Sequence, residues 1–320
     1  MTAGDPGVVV IGAGVTGLTT AVVLAEAGLS VKVLAKDPPA QTTSAAAGAM
    51  WGPYLVEPRD RVQAWASDSL ECFTGLAGVP GTGVRLVSGT EASRTNSAPP
   101  GFLRMLDGVR VCAQSELPDG FVAGWRYTVP LVDMDIYLPY LCDRLEAAGG
   151  SLQLRTVAGF DEAARLAPIV INATGTGARH LARDSAVTAV RGQLVILDNP
   201  GITEFFTEDT GWSPDLLHIY PHGDRLVLGG LAQEGNWNLE PDEDTAQAII
   251  ERCATIEPRL VSLPVRAHRV GLRPTRPTIR CDADSSVTRY RLLHNYGHGG
   301  AGVSLSWGCA SEIKTMITGS

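Results

Sequence analysis

Four apolar residues, Val8-Val9-Val10-Ile11, lead directly into Gly12-x-Gly14-x-x-Gly17, and these glycines open a stretch of helix formers. Few folds accommodate that order. The apolar run suits a strand buried on both faces. The first glycine permits a tight turn, the second lets a pyrophosphate approach the backbone, and the third lets the helix pack closely on the strand. Leu18, Ala21, Val22 and Ala25 form one apolar stripe, Gly28 is a natural helix stop, and residues 30–35 read as a second strand. This strand–helix–strand opening predicts an α/β fold with a mostly parallel sheet. Free N–H groups at the helix start predict a bound dinucleotide, held by Gly12, Ala13, Gly14, Val15, Thr16 and Gly17. Asp37 comes 20 residues after Gly17, within range of a ribose hydroxyl, with Lys36 beside it.

Composition narrows the partners. Lys and Arg total 26 against 34 Asp and Glu, a formal charge of −8. So acidic a chain lacks the basic footprint that nucleic acid requires. No apolar run approaches the ~18 residues of a membrane span, which predicts no membrane partner. The N-terminus has no basic region before an apolar one and reads as mature, without a signal peptide. The six cysteines form no CxxC pair, so they are expected to be small buried hydrophobes in a reduced, cytoplasmic setting.

Further along, Thr42, Thr43, Ser44, Gly48, Ala49 and Met50 belong to a small-residue loop, and Trp51 and Tyr54 after it suggest packing near a ligand. Residues 57–130 mix helix, loops and Pro/Gly turns without strand–helix rhythm. Helical periodicity returns over 134–148, followed by strands at 151–157, ending in Val157, and at 169–172, leading to Thr174 and Gly175. Residues 191–197, 217–220 and 226–230 read as antiparallel strands, 290–295 as a strand and 302–318 as a helix. The expected architecture is a Rossmann-like FAD-binding domain (1–56, 138–192, 266–320) interleaved with an α+β substrate-binding domain (57–137, 193–265).

FAD is favoured over NAD by His294-Asn295-Tyr296-Gly297-His298-Gly299-Gly300-Ala301-Gly302, a strand running through glycines into a helix. Amides of Gly299, Gly302, Val303 and Ser304 at that helix start would suit a flavin carbonyl that gains negative charge on reduction. The run from His294 to Ala310 resembles the signature of the D-amino-acid oxidases. The similarity extends to Trp51-Gly52-Pro53-Tyr54, Arg191-Gly192-Gln193, Gly229-Gly230 and Gly271-Leu272-Arg273-Pro274-Thr275-Arg276-Pro277.

The resemblance implies non-covalent FAD, a D-amino-acid substrate, O2 as oxidant and hydrogen peroxide as product. It also implies that Arg273 binds the substrate carboxylate and that the Gly300 carbonyl accepts a hydrogen bond from the amine. A planar guanidinium is independently the natural clamp for a carboxylate. Where the family has a carboxylate-binding Tyr, this chain has His218, and Tyr220 two residues on faces the same side of the strand; either could donate. Tyr54 and Ala232 occupy two positions where D-aspartate oxidases carry a histidine and an arginine, so neutral D-amino acids are the expected substrates. D-aspartate oxidase and glycine- or sarcosine-type oxidase are the alternatives. The 203–214 segment reads as too short for the long mobile lid of the animal members. A homodimer is left open.

Overall fold

The computed structural model describes residues 7–54, 56–208 and 215–319. In it the opening motif folds as its spacing predicts. β1 (Val8–Ile11) is buried along its length, α1 (Val15–Glu26) follows the glycine turn, and β2 (Val31–Ala35) returns parallel to β1. The turn depends on contacts that only glycine allows. Gly12 has φ +113°, and a Cβ there would lie 2.4 Å from the Ala173 carbonyl oxygen; a Cβ on Gly17 would lie 2.0 Å from the Gly12 oxygen.

Residues 57–130 are more regular than their turns suggest. They hold α2 (Arg59–Ala77), the ten-residue strands β3 (Val84–Ser93) and β5 (Ala123–Val132), and between them β4 (Arg110–Val111). β3 and β5 pair antiparallel over their whole lengths. β3 evades detection because its buried positions include the polar Glu91 and Ser93, which breaks any apolar alternation.

Next come α3 (Met134–Ala147), β6 (Ser151–Leu154), α4 (Phe160–Ala163), β7 (Ile169–Asn172), α5 (Ala178–Leu181) and β8 (Thr188–Asp198). β6 stops three residues short of the expected Val157. β9 (Phe205–Glu208), β10 (Asp215–His222), β11 (Arg225–Leu231), β12 (Gln233–Glu234) and α6 (Glu243–Ala254) follow. The chain closes with β13 (Val265–Ala283), β14 (Arg291–His298) and α7 (Gly302–Thr318). Part of the expected short 203–214 segment, residues 209–214, lies outside the described residues.

Among the described residues the strands form one sheet, in the order β4-β5-β3-β9-β10-β11-β8-β13-β14-β7-β1-β2-β6. From β14 to β6 neighbours are parallel, and from β5 to β14 antiparallel except β3 with β9. β13 joins the two regimes: it pairs with β8 from Val265 to Thr275 and with β14 from Thr275 to Ala283. Pro274 and Pro277 flank this handover, where ladder N–H groups are least needed.

The antiparallel half has two apolar faces. Val195, Leu197, Leu217, Ile219, Leu226 and Leu228 pack under α6 on Ala246, Ile249, Ile250 and Cys253. Leu194, Ile196, Phe205, Tyr220 and Val227 face the opposite way, into the main core. The cysteine expectation needs correcting. Cys253, Cys281 and Cys309 are buried, but Cys112 and Cys142 are half-buried and Cys72 is exposed. Cys72 lies on the solvent side of α2, one residue before the buried Phe73. All six are free thiols. Among the described residues no helix is long and apolar enough to cross a membrane.

α7 is locked against α2 and α3. Trp307 donates to the Tyr137 hydroxyl at 2.9 Å, Gly308 N–H to Ser69 Oγ at 3.1 Å, and Trp65 to Glu312 at 2.5 Å. A Cβ on Gly308 would lie 2.3 Å from the Trp65 backbone. Gly308→Ala should therefore force the helices apart and cost about 1–3 kcal/mol, seen as a lowered thermal midpoint.

Candidate active site

A cavity of about 900 Å³ opens beyond the ends of β1, β2 and β7 and runs across the main-core face of the antiparallel strands as far as β3. That volume is in the range of cofactor-sized sites. Its lining includes Gly12, Ala13, Gly14, Val15, Thr16, Lys36, Asp37, Thr42, Thr43, Ser44, Gly48, Ala49, Met50, Val157, Thr174 and Gly175. Gly299, Gly300, Gly302, Val303 and Ser304 line it too, as do Arg273, Tyr220, His218 and Tyr54. Among the expected site residues Gly17 alone is not in the lining; it acts beneath the turn, where its missing side chain admits the Gly12 carbonyl.

The fit to a dinucleotide can be judged from the walls. The first turns of α1 and α7, which both face the cavity, carry no acidic residue, so their positive ends are not neutralised. Ser44 Oγ accepts from Val15 N–H at 2.9 Å and fixes the small-residue loop over the helix start. Thr43 Oγ1 donates to the Leu272 carbonyl at 3.2 Å, tying the same loop to β13. Gly299 has φ +54° and donates its N–H to the Pro274 oxygen at 2.9 Å, so this amide, expected to serve a flavin carbonyl, is engaged within the protein. The Ser304 hydroxyl is likewise spent, accepting from Gly52 N–H at 3.0 Å and donating to Gly52 O at 3.1 Å. Exposed Lys36 and Asp37 lie at one end, and Arg273 at the other. An elongated anionic group with a planar end fits such walls.

At the end of the cavity away from Lys36, Arg273 projects from β13. Its guanidinium lies over Gly192, where a Cβ would be 2.6 Å from Nη1, and Nη1 donates to the Leu231 carbonyl at 2.9 Å. No carboxylate pairs with it among the described residues. Burial pulls its pKa down, the sign of a cation without an anion beside it. Arg276, three residues on, is instead engaged by Asp184 at 2.8 Å.

His218 and Tyr220 stack at 4.4 Å with an interplanar angle of 15°. The His218 ring lies over Gly229, where a Cβ would be 1.9 Å from Nε2, and that buried nitrogen has no partner among the described residues. Burial, then repulsion from Arg273 and Arg252, pulls His218 down to about 3, so the ring is neutral at physiological pH. Burial pushes the Tyr220 hydroxyl up from its ordinary value, keeping it protonated. Both stand beside Gly48, with Tyr220 3.2 Å and His218 3.4 Å from where its Cβ would be.

Some lining residues carry no sequence motif. Arg155, Thr156 and His180 line the cavity, as do Phe102, Glu91 and Thr207 on the side of the antiparallel strands. None of these carries a local signal, and Glu91 lies on β3, a strand that the sequence pattern does not reveal.

This is the fold and site of an FAD-dependent oxidoreductase, and residues 7–316 match the family described as FAD dependent oxidoreductase. The chain belongs to the D-amino-acid oxidase family. It is 46% identical over 310 residues to a D-amino-acid oxidase of Rubrobacter xylanophilus, covering 96% of this chain and 94% of that one. It is 44% identical over 316 residues to a D-amino-acid oxidase of Streptomyces coelicolor, covering 98% and 97%. Among solved structures, glycine oxidase from Geobacillus kaustophilus superposes with TM-score 0.80 at 18% identity, covering 98% of this chain and 94% of that chain.

His218 is not alone in being held neutral: burial also lowers His222 and His298 to about 4 each. Unfolded histidine titrates near ~6.5. The unfolded chain therefore binds more protons below that pH, and stability must rise with pH across the window. Denaturant midpoints should be flat above pH 7 and fall steadily from about pH 6.5 towards 4. His222→Gln should flatten the fall; an unchanged slope would show that His222 is not buried neutral.

Proposed function

We propose that this enzyme oxidises D-amino acids with non-acidic side chains to 2-oxo acids, ammonia and hydrogen peroxide, with non-covalent FAD and O2. The reading is carried by Arg273, a buried guanidinium that lines the cavity and, among the described residues, is held by the Leu231 carbonyl with no carboxylate beside it. Segments 1–56, 138–192 and 266–320 would hold the cofactor, and 57–137 and 193–265 the substrate. When bound, FAD supplies the two-electron acceptor for the Cα–H bond and returns the electrons to O2.

The protein's work is binding and orientation. Arg273 takes the substrate carboxylate with two parallel N–H bonds, and the Leu231 carbonyl holds the guanidinium plane in place. Gly192 leaves room for that plane. Tyr220 donates its hydroxyl, or neutral His218 its ring N–H, to the same carboxylate. The Gly300 carbonyl accepts from the amine and turns Cα–H away from the wall, and Tyr54 covers the mouth. The lining carries the carboxylate of Glu91 and, apart from Arg273, no guanidinium is aimed at a second substrate carboxylate among the described residues of this end.

Peroxide should form with apolar D-amino acids, not with their L forms, and only slowly with D-aspartate; faster turnover of D-aspartate than of every neutral substrate would reverse the reading. Acid precipitation should release the flavin into the supernatant.

Arg273→Ala gives the sharper test. A hydrogen bond to a charged group contributes about 1.5–3 kcal/mol, and this clamp makes two. kcat/KM should drop at least ~100-fold with flavin content unchanged. Arg273→Lys should recover only part, because a point charge does not reproduce the fork. Near-normal kinetics in Arg273→Ala at full flavin loading would remove Arg273 from substrate binding.

A further inference from the structure

Behind the cavity wall runs a chain of polar groups that substrate binding does not use. Asn172 ends β7, and His294 stands beside it on β14, in register. Both are buried, at 0% and 1% exposure. Neither lines the cavity, but Ala173, Thr174 and Gly175, which follow Asn172, do.

The hydrogen bonds in this chain fix one another's direction. A backbone N–H can only donate, so it is Asn172 Oδ1 that accepts from Thr174 N–H at 3.2 Å, and it also accepts from the Thr174 hydroxyl at 2.7 Å. That leaves Nδ2, which can only donate, facing His294 Nδ1 at 3.2 Å. Nδ1 is therefore the bare nitrogen of the ring. The proton sits on Nε2, which donates to Asp284 Oδ2 at 3.2 Å. Burial and the Arg280 guanidinium outweigh the pull of Asp284 and hold His294 below its ordinary value, so the ring stays neutral. Phe160 at 5.9 Å and Tyr296 at 5.4 Å meet the ring edge-on and hold its plane.

The chain ends where the cavity begins. Ala173 N–H donates to the Ile11 carbonyl at 2.9 Å, and the Ala173 oxygen is 2.4 Å from where a Cβ on Gly12 would lie. The turn that Asn172 caps is thus packed against the glycine turn of β1. Were the Asn172 amide to turn over, its NH2 would meet the Thr174 N–H donor to donor, and the capped turn would open. Binding a cofactor against that wall would then have to close it again.

We propose that His294 is a positioning residue for the cofactor: with its tautomer set by Asp284, it locks the Asn172 amide and so holds the Thr174 turn in the shape that FAD binds. The role is independent of which amino acid Arg273 takes.

The test separates a hydrogen-bond acceptor from a space-filler. His294→Asn keeps an oxygen near the position of Nδ1, and His294→Leu fills the space without one. FAD affinity is read as flavin retained by the holoenzyme on serial dilution and ultrafiltration. It should weaken at least about tenfold in His294→Leu and stay within about threefold of the wild type in His294→Asn. Long-range proton–nitrogen spectra of enzyme with nitrogen-labelled histidine should show His294, assigned by its loss in either variant, as a neutral ring protonated on Nε2. Asp284→Ala, at the half-buried end of the chain, should admit the Nδ1-protonated form and weaken FAD about threefold. Unchanged FAD binding in a folded His294→Leu would overturn the proposal, and so would equal losses in His294→Leu and His294→Asn. Should His294→Leu fail to fold, the tautomer decides: a charged ring, or a proton on Nδ1, in the wild type overturns it. A wild-type protein that binds no FAD at all would instead overturn the cofactor assignment.

Discussion

Backbone meets backbone where β1 hands over to α1. The Gly12 carbonyl sits where a side chain on Gly17 would be, and the Ala173 carbonyl where one on Gly12 would be. These contacts bring α1 down onto β1 and set β1 against β7, and the mouth of the cavity is the space left beyond the strand ends. The small-residue loop is then fastened to the helix start through Ser44 and to β13 through Thr43. Loss of that close approach would move the helix, its exposed amides and the loop together.

β13 transmits this geometry to the substrate end. It is the strand that pairs with both the antiparallel and the parallel parts of the sheet, and Arg273 lies just before the handover at Thr275. The guanidinium is therefore placed by two ladders at once, with its plane over Gly192 and one nitrogen on Leu231. Such bracing matters because a buried cation is costly unless an anion joins it, and among the described residues no carboxylate pairs with Arg273; in the proposed function the substrate supplies that anion. His218 and Tyr220 follow the same rule of charge: burial keeps one neutral and the other protonated, so neither adds a second charge to the end of the cavity that holds Arg273.

The two faces of the antiparallel half divide the labour. α6 covers one with aliphatic side chains, which gives the strands a rigid backing. The other faces the main core and the cavity, and Arg273, His218, Tyr220, Thr207 and Glu91 line the cavity there. Because side chains alternate along each strand, the same ladder that builds the core also aligns polar groups in rows across the cavity floor. Rigid strands hold such rows more closely than loops would.

What was legible in the sequence was whatever local chemistry dictates. The glycine turn, its flanking strands, the glycine-rich entry to α7 and the conspicuous Gly-Leu-Arg-Pro stretch each need particular residues at short spacing, and each is found lining the cavity or shaping it. β3 and β5 were not legible, because strand β3 buries polar residues whose partners lie far away in the chain: Glu91 meets Tyr127, and its register neighbour is Thr207. The exposed Cys72 was missed for a like reason, since which side of α2 faces solvent depends on α7. Only the tertiary structure could show that Arg273 is buried with no carboxylate beside it among the described residues, that the Gly299 amide and the Ser304 hydroxyl are already engaged, and that Glu91 of β3 reaches the cavity lining. Local spacing determines turns and helix starts, but the charge and burial of a site come from strands that meet across the whole length of the chain.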